Sequence, residues 1–189
     1  MFRLLLFFSL LPLALALIAS WWFGTRVLAS HGKRMCRCDL KLWTPAPGDE
    51  TSVHRADETA AEFGDQLRRK ALHEWRERDP KSANSREHSR RFGIAVPPFG
   101  GVVAVLAVIA GKIPVLGAFA IFIAAVALSA VLGMLALPPE LTAIARTSKR
   151  IRDQRVFPSS EDSEAVLRCA SAHAWEQALP PVLRMLKKR

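Results

Sequence analysis

The sequence predicts an all-α integral membrane protein, with an N-terminal anchor, a cytoplasmic helix, a transmembrane helical hairpin and a C-terminal amphipathic helix. Three observations lead there. Residues 1–25 carry one charged side chain, Arg3, and residues 92–138 carry only Lys112. All 17 acidic residues fall in two blocks, Asp39 to Glu87 and Glu140 to Glu176. The 27 Lys and Arg cluster beside the apolar runs rather than within them. A bilayer imposes such segregation, because a charge at its centre costs about 2.5–3.5 kcal/mol. The pattern argues against a disordered tail, a disulfide-rich secreted domain and a soluble enzyme.

The anchor is expected within residues 1–23. Leu4 to Phe23 is a charge-free run of 20 residues, and at 1.5 Å per residue that spans a hydrocarbon core of about 30 Å. Trp21 and Trp22 close it, where indoles prefer the headgroup region. A cleaved signal peptide is the competing reading, given Arg3, the apolar run and the small residues Ala14, Ala16, Ala19 and Ser20. The run exceeds the about 7–15 residues of a signal core. Arg26, Lys33, Arg34, Arg37 and Lys41 follow it, and such a cluster resists export. A retained anchor is therefore expected.

Residues 24–91 are expected to form a cytoplasmic basic loop. Its first part, 39–56, has the Pro and Gly content of a linker. From Asp57, a candidate N-cap, a helix is expected over about 57–79 with Phe63, Leu67, Ala71 and Trp75 as its apolar stripe. Pro80 is expected to end it, leaving 81–91 as loop. Residues 92–138 read as the hairpin, Phe92 to Gly111 and Val115 to Leu137, joined by a Gly111-Lys-Ile-Pro114 turn whose Gly and Pro break the helix. Its many small residues let backbones approach where no hydrophobic effect pulls helices together. In the tail, 139–189, a basic segment and a break at Pro158 precede an amphipathic helix over about 163–179.

Orientation follows from the cations. Residues 24–91 hold 15 Lys and Arg and 139–189 hold 10, against Arg3 and Lys112 elsewhere. The positive-inside rule then gives an outside N-terminus and cytoplasmic soluble parts, as in a bacterial inner (plasma) membrane. The net charge of +10 is read as a topology signal and an attraction to anionic headgroups. Nucleic-acid binding is not expected, because acids interleave with the cations and no basic face forms. Cys36-Arg-Cys38 is one residue tighter than a C-x-x-C knuckle, and Cys169 has no partner nearby in sequence.

Chemistry, if present, begins at His73. Ala71-Leu-His-Glu-Trp-Arg-Glu77 reads H-E-x-x-E, one substitution from the H-E-x-x-H helix on which two imidazoles at i and i+4 bind zinc while the glutamate polarises water. A bland reading exists beside it, a solvated helix face on which Glu74, Glu77 and Arg78 make surface ion pairs. Two further stretches complete a pattern: Leu137-Pro-Pro-Glu-Leu-Thr-Ala-Ile-Ala-Arg146 directly after a span, and Val166-Leu-Arg-Cys-Ala-Ser-Ala-His-Ala174.

Taken in order, these residues resemble the bacterial membrane zinc metallopeptidases of the YugP-like, neutral zinc metallopeptidase family. Its members carry A-A-H-E-V-G-H-A, an apolar hairpin, L-P-V-E-F-N-A-S-x-R-A and V-L-x-A-A-x-T-Y-V-A. Carried over by position, the resemblance implies His73 and Glu140 as zinc ligands, Glu74 as general base and Glu77 in place of the second histidine. The departures are Glu77 itself, Trp75-Arg76 in place of Val-Gly, the absence of the D-H-Y-D-P-R stretch and Leu141-Thr-Ala-Ile after Glu140. One imidazole with two carboxylates suits zinc less well than two imidazoles. The leading expectation is a divergent, non-catalytic relative acting as a membrane scaffold or interaction protein on another membrane protein, with no cofactor. A residual zinc peptidase using His73, Glu77 and Glu140 is the alternative, and an unrelated three-span protein the second. For Glu140 the expected bland partners are Arg146 or Arg150.

Overall fold

The computed structural model describes residues 2–43 and 55–187. The linker centred on Pro45, Pro47 and Gly48 lies outside the described residues. Within them the chain is helical apart from one two-stranded ribbon, and three helices are long and apolar enough to cross a membrane: Leu4–His31, Pro80–Ile109 and Val115–Asp153. By packing the chain divides into two units. One comprises Met1–Ala19, Arg86–Ala136 and Gln177–Arg189, the other Ser20–Ser85 and Leu137–Glu176.

The first helix is longer than the apolar run. α1 (Phe2–Ser20) passes through a π-helical turn, Trp21–Thr25, into α2 (Arg26–His31). In the first unit, α4 (Pro80–Ile109) and α5 (Val115–Leu135) lie side by side around the expected turn, where Gly111 adopts a positive φ of 65°. Ser129 donates to the Gly93 carbonyl. A methyl group at Gly100 would stand 2.7 Å from the Ala125 side chain, so the small residue permits the approach. Ala16, Val126, Ala130, Leu179 and Leu183 form a buried cluster that draws in α8 (Pro181–Lys187).

The second unit is built on β1 (Met35–Arg37) paired antiparallel with β2 (Asp57–Thr59), and on α3 (Ala60–Arg78), α6 (Leu137–Asp153) and α7 (Ser160–Ala178). Trp43, Phe63 and Phe157 meet edge to face with centroids 5.4–5.7 Å apart. The Trp43 indole donates to Gln66 at 3.0 Å, and the Gln66 amide donates to Glu58 at 2.6 Å, so the buried polar atoms of this core are bonded. On the other side of α3, Gly64 meets α7: a β-carbon there would lie 2.7 Å from that of Cys169 and 2.8 Å from the Ala170 amide nitrogen.

Several boundaries differ from expectation, each for a local reason. Asp57 does not cap α3. It is in β2, opposite Arg37, and Thr59 caps the helix in a capping box with Glu62. The hydrogen bonds from the Thr59 backbone and hydroxyl hold the Glu62 carboxyl below its ordinary range. Residues 81–91 are helix rather than loop. Asp79 accepts from the Ser82 amide at 3.1 Å and starts α4 with Pro80 in the first position, where a missing N–H costs nothing. The basic segment after Leu137 is α6, and Pro181 opens α8 instead of following the last helix.

Two outcomes are expected. Gly64→Ala gains helix propensity of about 1 kcal/mol, but the contact with the Ala170 backbone cannot relax cheaply. A net loss of roughly 1–2 kcal/mol follows, read as a lower unfolding midpoint in detergent. Cys36, Cys38 and Cys169 are buried, and burial pushes each thiol up to about 11 from 9.0. They should resist alkylation at pH 8 until the protein is unfolded. Because the unfolded thiols lose their protons first, the stability they contribute is intact below about pH 9 and falls as pH rises toward 11.

Candidate functional site

α3 and α6 supply all the candidate residues, and both belong to the second unit. α6 buries Leu137, Glu140, Ile144, Thr147 and Ile151, a 3-4-3-4 spacing that puts one stripe along the helix. α3 answers with Arg68, Leu72, Glu74 and Trp75. Arg68 meets Glu140, and further along Glu74 meets Thr147, so the two helices run in the same direction. Trp75 and Leu72 of α3, Ala143 of α6 and Ala83 of α4 form a small apolar cluster.

The deepest polar contact is Arg68 with Glu140. The guanidinium Nε donates to Oε1 at 2.6 Å, and each side chain is 4% exposed. Two charges withdrawn from water this far are held only by close mutual geometry and further hydrogen bonds. Glu140 is thus buried and paired across the helix interface, not with Arg146 or Arg150 as expected. Arg68 carries a signal in the sequence: it lies at i+4 from Gly64 and i−7 from Trp75, on the buried side of the apolar stripe, where a lone arginine requires a carboxylate.

Glu74, the candidate general base, accepts from the Thr147 hydroxyl at 2.7 Å and from Arg150 at 3.0 Å. Lys70 lies alongside with its ammonium 5.6 Å from the Trp43 ring centroid. Burial lowers the Lys70 pKa, and the Glu74 charge opposes that shift. His73 is half-buried, its Nδ1 3.6 Å from Glu77 Oε1, and Glu77 is 70% exposed. The i, i+4 pair therefore exists, while Glu140 serves Arg68.

Among the described residues, no three His, Cys, Asp or Glu side chains gather where they could hold one ion. The donor chemistry agrees. A carboxylate that accepts a guanidinium hydrogen bond at 2.6 Å has given its charge to a fixed cation, and Glu74 is committed twice. The arrangement of His73, Glu77 and Glu140 does not fit zinc as it stands. What α3 and α6 can do is lock together: two charged or polar rungs fix their register and an apolar cluster packs against both. Comparison with protein-family models, curated proteins and solved structures finds no match to this chain.

A double-mutant cycle should expose the lock. Glu140→Leu or Arg68→Leu alone leaves a buried charge without its counterpart and should cost about 3–5 kcal/mol. The double variant should lose clearly less than the sum, giving a coupling of about 0.5–3 kcal/mol in chemical unfolding of the detergent-solubilised protein.

Proposed function

We propose that this chain is a non-catalytic membrane scaffold or interaction protein, a divergent relative of the membrane zinc metallopeptidases. The observation that carries the reading is the Arg68–Glu140 pair: the carboxylate that a peptidase would offer to zinc is the counter-ion of a buried arginine. Around it, α3 and α6 hold a register, and the His-Glu helix is retained as a packing element. The three apolar helices support residence in a membrane. The 15 and 10 cations of residues 24–91 and 139–189 favour a bacterial inner membrane, an outside N-terminus and cytoplasmic soluble parts. The second unit would then be presented to a membrane-protein partner on the cytoplasmic side.

Metal analysis of the purified, detergent-solubilised protein and of a His73→Ala variant tests this. The expected result is the same trace zinc in both. About one zinc per chain, lost in the variant, would overturn it in favour of a residual peptidase, with Glu77 and Glu140 as the next residues to change.

A further inference from the structure

The first helix ends its apolar run in an arrangement that the scaffold reading does not use. Trp21 and Trp22 are 54% and 49% exposed, and Phe23 stacks on Trp175 of α7 with centroids 5.1 Å apart. The π-helical turn over Trp21–Thr25 widens the helix here and seats Gly24 against α7, where a β-carbon would stand 2.9 Å from Glu176 Cγ. One turn beyond Trp22, the Arg26 guanidinium carbon lies 4.3 Å from the Trp22 ring centroid.

Arg26 is the first cation after Arg3, it is exposed, and among the described residues it makes no ion pair. Arg34, Arg68, Arg69, Arg91, Arg150 and Arg168 all meet a carboxylate. Glu176 of α7 accepts from the Thr25 hydroxyl at 3.3 Å and lies beside Gly24.

Depth selects the ligand. At 1.5 Å per residue Arg26 is about 5 Å past Phe23 along the helix. The headgroup layer occupies roughly 5–8 Å beyond each face of the hydrocarbon core. Exposed indoles mark that layer, and a cation laid on the ring face is held there with its N–H groups free on the outer side. A guanidinium without a carboxylate at this depth meets lipid phosphate first, and its planar fork matches phosphate oxygens. The choline ammonium of a zwitterionic headgroup offsets that phosphate's charge, so an anionic headgroup is favoured. We propose that the Trp22–Arg26 edge of the first helix is a binding site for the headgroup phosphate of an anionic phospholipid, with Trp21 and the Phe23–Trp175 stack forming its apolar border. This rests on the helix lying in a bilayer and is independent of the metal question.

The five tryptophans supply the readout. Trp43 and Trp75 are buried at 4% and 8% exposure, whereas Trp21 and Trp22 face outward. The full chain is placed in two nanodisc preparations of identical phosphatidylglycerol and phosphatidylcholine content, with brominated acyl chains on one lipid or on the other. Tryptophan quenching should be stronger when bromine is on phosphatidylglycerol, reflecting a local enrichment of roughly fivefold, the factor that ~1 kcal/mol per surface cation represents. Arg26→Gln should remove the difference, and Arg26→Lys should keep most of it. The blue-shifted emission of the buried Trp43 and Trp75, which unfolding would move to longer wavelength, reports that each variant is folded. Equal quenching by the two lipids in the unmodified protein, or a difference that survives Arg26→Gln, would overturn the proposal. Zinc content moves neither result, so the two readings fail separately.

Discussion

Removing a guanidinium and a carboxylate from water costs several kcal/mol per ion before their attraction is counted. Between α3 and α6 the chain accepts that cost once, at Arg68 and Glu140, and the rest of the second unit is arranged around it. The pair cannot tolerate a sliding of one helix past the other, because any shift strands both charges. Glu74 with Thr147 and Arg150 repeats the constraint further along at a more accessible level. Together they define a parallel register, and the apolar contact of Leu72 and Trp75 with Ala143 packs within it. Stability is a weak argument for such a pair, because a well-packed hydrophobic replacement is often as stable. Register is the stronger one.

The other faces of α3 are fixed by shape instead of charge. Gly64 lets α7 approach until Cys169 sits where a side chain of α3 would otherwise be. Opposite, Trp43 and Phe157 close over Phe63, and Gln66 reaches the indole so that no donor is left behind. α3 thus carries three different interfaces within five turns: a close backbone contact, an aromatic cluster and an ion-paired stripe. This also explains why its hydropathy pattern understates its burial. Gln66 and Arg68 are buried polar residues inside an otherwise apolar face.

The sequence made the long apolar helices legible because an uncharged run of about twenty residues has the length and hydropathy to cross a bilayer. The stripe Phe63, Leu67, Ala71, Trp75 located α3 for a similar reason, since four apolar residues at i+4 spacing have few other uses. Three-residue strands carry too few side chains for alternation to register, so Asp57 read as a cap when it is a strand residue beside Thr59, the true cap. Pro80 read as a stop because proline ends helices more visibly than it begins them, yet with Asp79 before it the same residue is a start. α6 was hidden by its own specificity. Glu140 and Thr147 occupy stripe positions where an apolar residue would have declared the helix. At the candidate site the His73–Glu77 spacing was visible, but the partner of Glu140 was not, because Arg68 is 72 residues away in sequence and no local rule links them.

The net charge of +10 is therefore not one property. Arg68 spends its charge inside the protein, where it fixes two helices. Arg34, near the ribbon, pairs at 2.9–3.0 Å with Glu161 and Asp162 at the start of α7, where the helix dipole already favours anions. Arg26 makes no ion pair among the described residues, and it is the one placed where the apolar run of the first helix gives out. Composition weighs these three arginines equally, but water access differs for each, and so does the consequence of losing the charge. A buried arginine without its carboxylate destabilises the fold. A surface arginine without its partner changes stability by about 0–1 kcal/mol. An interfacial arginine leaves the fold intact and changes only what the bilayer presents to it. The basic character of this chain is in this way divided between buried packing and exposed surface, which composition alone does not separate.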